Sequence, residues 1–309
     1  MRKLANGIAM ILFLSLLSGL SGCAFSDPRI EGIPPTAPAS SSALFSQAAE
    51  EVRTAWGLVT GMAGADPAGP GQKWSAMSDT LRAQWLVLVG PDPVHRLAAA
   101  GIASPSPSAA GTSVTADQAL STARDNDLSR AAGTKGVDAA FWASLAAGLE
   151  QVRLGLTGPY EAATPAAQSV TVAITDESAA LSDLMSRYDE GIFAIRAAMG
   201  FLDLSSPDGL AFRGALSSLQ DDLASLTELA GPSGAVPSDA QGIYELPSGR
   251  DRDASLALLA STQKSLTEAA MVWVASASDP ARATVYVMSD ATLAMSFGIG
   301  TAVWPGWPD

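Results

Sequence analysis

The stretch Asp176–Leu202, DESAALSDLMSRYDEGIFAIRAAMGFL, is the longest periodic run in the chain, and its reading decides the fold. Leu181, Leu184, Tyr188, Ile192, Ile195, Met199 and Leu202 recur at steps of three and four, which places them on one face of a helix. The spacing is near-heptad, so this helix is expected to pack in a bundle at a shallow crossing angle. Its start lies at either Pro165 or Asp176, because the β-branched run Val170-Thr171-Val172 suits a helix poorly.

Downstream, Ser206 is a good N-cap with Pro207 at the first helical position, and Leu216, Leu219, Leu223 and Leu226 form a face that ends at Gly231-Pro232. A loop from Pro232 to Gly249 follows. Leu256, Leu259, Gln263, Leu266, Ala270 and Trp273 predict a further helix, and Asp279-Pro280 opens a last one through Tyr286, Leu293 and Phe297. Upstream, Phe45, Ala48, Val52, Trp56 and Val59 predict a helix over Ser42–Ala63, and Trp74, Met77, Leu81, Trp85 and Leu88 a second over Gln72–Val89. Thr115-Ala116-Asp117-Gln118 has capping-box spacing before a third helix ending at Gly133. Val137, Phe141, Leu145, Leu149, Val152 and Leu156 mark a fourth that stops before Gly158-Pro159. No alternating strand pattern competes, so the expected class is all-α, a helical bundle. A linker over 157–165 divides an N-terminal helical region, residues 43–158, from a C-terminal four-helix region, residues 165–309.

Four features of the last 130 or so residues carry a resemblance. They are Tyr188-Asp189-Glu190-Gly191-Ile192-Phe193-Ala194, the loop Tyr244-Glu245-Leu246-Pro247, a last helix bearing Arg282, and the terminal Trp304-Pro305-Gly306-Trp307-Pro308. In these the chain resembles a ferritin-like domain family of actinobacterial lipoproteins and secreted proteins with no assigned function. The resemblance implies four helices closed antiparallel with one long connection. A ferritin-like di-metal site needs a Glu from each of two helices and Glu-x-x-His from each of the other two. The only histidine is His95, outside the resembling region, and Gln263 and Leu266 stand where a carboxylate and an imidazole would be needed. Glu190, Glu228, Glu268 and Asp290 are the acids available for a carboxylate-only cation site, but acids on helices are mostly solvated. No metal and no cofactor is therefore expected.

The N-terminus supplies an address. Arg2 and Lys3 precede the apolar run Ile8–Leu20, which is shorter than the roughly 20 residues of a permanent membrane span. It ends in Leu20-Ser21-Gly22-Cys23, a lipobox. Residues 1–22 read as a lipoprotein signal peptide, and Cys23 as the thiol that takes a diacylglyceryl group; palmitate is the expected kind of acyl chain. Two acyl chains anchor a protein stably where one does so marginally. Residues 23–42, rich in Pro, Ser and Ala, read as a disordered tether. The expected location is the extracytoplasmic face of the cell membrane.

Removing residues 1–22 leaves 16 basic and 31 acidic residues, a charge of −15 against −13 for the whole chain. Such a surface excludes nucleic acid as a partner through any basic patch. With Cys23 the only cysteine, disulfides, thiolate catalysis and a zinc–cysteine site are excluded. Four lysines and two asparagines among abundant Ala, Gly, Ser, Pro and Arg point to a GC-rich genome.

The other constellations read as structural. Asp92 with His95 lacks the Gly-x-Ser-x-Gly elbow of a serine triad, and Gly69-Pro70-Gly71-Gln72-Lys73-Trp74 lacks phosphate-loop spacing. Trp56, Trp74, Trp85 and Trp142 lie on apolar faces and are expected in the core rather than around a ligand. Trp304 and Trp307 sit among Pro and Gly, where they either fold back on the bundle or stay exposed as a candidate partner-binding knob. The expected function is a non-enzymatic binding or scaffold role at the cell envelope, with the membrane and an envelope protein as partners. The alternative is a small-molecule or metal-ion binding lipoprotein that uses the bundle interior, and an enzyme would need a cleft around Asp92 and His95.

Overall fold

Four helix starts in this chain are set by short polar side chains that satisfy the first free N–H groups. In the computed structural model, which describes residues 39–65, 71–90, 92–94, 114–161, 172–233, 251–293, 295–297 and 302–307, Thr115 makes both bonds of a capping box with Gln118, at 3.2 and 3.0 Å. The Asp176 carboxylate accepts from the N–H groups of Ser178 and Ala179, and Asp251 accepts from that of Ala254. Ser206 accepts from Gly209 N–H ahead of a helix that begins with Pro207. The described residues form eight α-helices and no strand, so the fold is all-α. The helices are α1 Ala39–Ala65, α2 Gly71–Leu88, α3 Ala116–Gly133, α4 Gly136–Gly155, α5 Glu177–Met199, α6 Pro207–Ser233, α7 Arg252–Ser276 and α8 Pro280–Thr292, followed by a 3-10 turn, Met295–Phe297.

Three boundaries differ from expectation, and a fourth is decided between two expected positions. The first helix starts at Ala39 and takes in the last residues assigned to the tether, since Ala39-Ser40-Ser41-Ser42 follows the last proline of that segment and imposes no break. Of the two starts open for the fifth, Pro165 and Asp176, the helix takes the second: it begins at Glu177 with Asp176 as its cap. The sixth runs through Gly231-Pro232 to Ser233. The eighth stops at Thr292, short of Phe297, and the chain tightens into the 3-10 turn.

The sequence leaves open whether the regions 43–158 and 165–309 pack as one body; residues 42–309 form one compact unit. The reason is α4, in which every residue from Ala139 to Leu149 is buried, a helix apolar on all sides. It packs most extensively on α3, and also on α2, α7 and α8. Its small residues, Ala139, Ala140, Ala143, Ala146, Ala147 and Gly148, let neighbours approach closely: a Cβ on Gly148 would lie 2.3 Å from Gln84 Nε2 and 2.9 Å from the Val303 carbonyl. The periodic run that opens the sequence argument is α5, which packs on α6 and α7. No helix among the described residues is long and apolar enough to cross a membrane.

Candidate functional site

Leu20, Ser21, Gly22, Cys23, His95 and the Tyr244–Pro247 loop lie outside the described residues. Of the four acids available for a carboxylate site, only Asp290 is in the core; Glu190 and Glu268 are 44% and 38% exposed at the side chain and pair with Arg187 and Lys264, and Glu228 is exposed. The structure does not bring them together. Among the described residues no cluster of three or more His, Cys, Asp or Glu is placed to hold a metal ion. Trp56, Trp74 and Trp142 are buried and Trp85 is half-buried.

Trp304 and Trp307 fold back, each 3% exposed, and so do not form an exposed partner-binding knob. The stretch Trp304-Pro305-Gly306-Trp307 closes a turn with Trp307 N–H donating to the Trp304 carbonyl at 3.2 Å; proline and glycine hold the two central positions, and Gly306 has φ +75°. The two indoles pack on Phe141 with ring centroids at 5.2 and 6.3 Å, and Phe141 in turn contacts Trp142 and Phe45 of α1. Three buried side chains hold the backbone of this strap, residues 302–307. Gln84 donates to the Val303 carbonyl at 3.0 Å, Ser144 donates to that of Pro305 at 2.9 Å, and the Gln151 carbonyl oxygen accepts from Ala302 N–H at 3.2 Å. The same Gln151 donates through Nε2 to the Ala291 carbonyl in the last turn of α8.

Next to that turn lies a polar layer inside the bundle. Tyr188 on α5 donates to Asp290 Oδ1 on α8 at 2.6 Å, and Asp290 is 1% exposed with no partner for Oδ2. Asp222 on α6 accepts from Ser289 at 2.8 Å, and α7 contributes Gln263 and Thr267. Burial pushes the Asp290 carboxyl well above the ordinary carboxylate range; the Tyr188 hydrogen bond opposes this, and the charge of Asp222 adds to it. Burial also raises Asp222, and it raises the Tyr188 hydroxyl with help from Asp290.

A second charged cluster joins α1 to α3. Arg130 reaches Asp127 at 2.5 Å and Glu51 at 2.9 Å, Asn126 donates to Glu51, and the guanidinium lies 5.3 Å from the Trp142 ring centre. One guanidinium thus serves two carboxylates. Asp127 is 1% exposed with Oδ2 unpartnered, and burial pushes it up to about 8 against the pull of Arg130. Nearer the surface, burial works against the charge of Glu150, but Arg153 and Arg124 outweigh it and hold its carboxyl below the usual range.

Sequence reasoning missed Asp127, Asp222 and the side chains that read the strap. Asp127 and Arg130 share a helix face with Ala123 and Leu120, an acid at a core position of the third helix, and that was the available signal. Gln84, Ser144 and Gln151 interrupt otherwise apolar faces in the same way. Compared with family models, curated proteins and solved structures, the chain matches none.

Proposed function

We propose that this is a lipid-anchored protein of the extracytoplasmic membrane face, attached through Cys23, whose helical body has a non-enzymatic binding or scaffold role at the envelope. The observation that carries the reading is Leu20-Ser21-Gly22-Cys23 at the end of a short apolar run preceded by Arg2 and Lys3. Two features of the body support it. The net charge keeps it off nucleic acid and anionic headgroups, which leaves the lipid as the membrane contact. The two fully buried acids with raised ionisation, Asp127 and Asp290, are enclosed among core side chains that engage them. We also read α5–α8 as the ferritin-like part, because all four helices bring polar side chains to the layer, among them Tyr188, Asp222, Gln263 and Asp290.

Expression of the full chain in a bacterial host fed an alkyne-bearing palmitate tests the anchor. The wild-type chain takes the label and partitions into the detergent phase, and Cys23→Ala loses both. An unlabelled wild-type chain rejects the lipoprotein reading. The unpartnered Oδ2 of Asp290 favours one second reading, a small polar ligand in the bundle interior. Native mass spectrometry and elemental analysis of residues 24–309 decide it, since a bound species near unit ratio replaces the scaffold role.

A further inference from the structure

The polar layer and the strap are one connected network. Asp222 and Asp290 approach the same hydroxyl, Tyr188, from α6 and α8. The residue after Asp290 is Ala291, whose carbonyl accepts from Gln151 and, at 3.5 Å, from Gln263. Gln151 then accepts from Ala302 N–H, the first residue of the strap. A movement of the last turn of α8 therefore reaches the start of the strap through Gln151.

We propose that this layer is a proton-operated latch: Asp290 keeps its proton while the strap is closed, and losing it beside ionised Asp222 loosens the last turn of α8 and frees the strap with Trp304 and Trp307. The geometry supplies the driving force. An ionised Asp290 would sit in a site open to no water, with a single hydrogen bond from Tyr188, an unpartnered Oδ2 and a second carboxylate across the layer. Asp222 is half-buried, so its charge reaches solvent more easily and it ionises first. The groups acting on Asp290 are Tyr188 from α5 and Asp222 from α6. From α7 and α4 the facing side chains are the neutral Gln263 and Gln151, Tyr286 lies one turn earlier on α8 itself, and the ionisable pair of α3, Asp127 and Arg130, is engaged with Glu51. Among the described residues no compensating cation faces the carboxyl. The proton passes to solvent, and outward movement of the turn gives the new charge its hydration. The latch does not depend on lipid attachment.

Hydrogen exchange followed by mass spectrometry on the full chain in detergent, at pH 6, 8 and 9.5 and corrected for base-catalysed exchange, tests this. The reporters are the amides of Ala302 and Trp307, both bonded in the closed strap. Their protection is expected to fall about tenfold or more between pH 6 and 9.5, since one unit of difference in Asp290 ionisation between closed and open states is a factor of ten. Protection in α3 and α4 is expected to hold. Asp290→Asn keeps the strap protected throughout, Asp222→Asn shrinks the fall, and Asp127→Asn, in the other cluster, behaves as wild type. Strap protection that falls equally in Asp222→Asn, or falls together with that of α3 and α4, overturns the latch. The Asp222→Asn comparison decides alone if Asp290→Asn lacks a folded circular dichroism spectrum at pH 6.

Discussion

At the scale of single residues, the molecule's pH response is governed by the acids it buries. Asp127 titrates near 4 in the unfolded chain and at about 8 in the folded one, so the folded state binds its proton more tightly. Its contribution is fully present below pH 4 and is lost as pH rises toward 8, opposite in sign to a half-buried ion-paired carboxylate such as Glu150. Asp127→Asn removes that slope. The free energy of unfolding of the variant minus that of wild type, from urea titrations at pH 4.5, 6 and 8, is expected to increase with pH; a constant difference would show that Asp127 stays ionised throughout. Gly306 makes a separate point about backbone. Its φ of +75° suits glycine, and a Cβ there would lie 2.6 Å from the Thr267 carbonyl. Gly306→Ala should therefore cost on the order of 1–3 kcal/mol, read as a lower urea midpoint with an unchanged slope.

At the scale of elements, the helices were largely legible because their ends are chemically marked. Thr115 with Gln118 and Ser206 with Pro207 named their boundaries before any coordinates, and Asp176 was one of the two starts left open for α5. The ends without such marks moved. Pro232 fits in the last turn of α6 because a proline there forfeits a single N–H bond, and α8 stops at Thr292 although its apolar spacing runs on to Phe297. The strap was legible only as non-helical. Its position depends on Gln84, Ser144 and Gln151, and a polar residue on an apolar helix face does not disclose its partner when that partner lies 161 positions away, as Pro305 does from Ser144. Ser144 serves the strap through one buried hydroxyl, so Ser144→Ala leaves the Pro305 carbonyl without that donor and should cost about 1–3 kcal/mol in a urea titration. Ser129→Ala, which removes a hydroxyl bonded to an exposed backbone carbonyl of its own helix, should change little.

At the scale of the whole molecule, composition and periodicity gave the all-α class but hid how the two halves join. The Pro- and Gly-bearing linker over 157–165 looks like a domain boundary from the chain alone. It is not one, because α4 has no polar face: the Phe141-Trp142-Ala143-Ser144-Leu145-Ala146-Ala147 run needs neighbours all round, and α2 and α3 cover only part of it. Phe45 of α1 covers Phe141 and Trp142, and α7, α8 and the strap add to this, with Trp304 and Trp307 on Phe141 and Gln151 bonded to both Ala291 and Ala302. Neither half can therefore keep α4 buried if the other unfolds, and unfolding is expected to be a single transition despite the chain's length. Trp56, Trp74, Trp85 and Trp142 report on the first half and Trp273, Trp304 and Trp307 on the second, so urea curves from fluorescence and from far-ultraviolet circular dichroism should superimpose. Gln151→Ala, which cuts two of the bonds between the halves, should shift both curves by the same amount. Two separated transitions, or a shift confined to one probe, would mean that the halves hold their cores independently and that α4 belongs to only one of them.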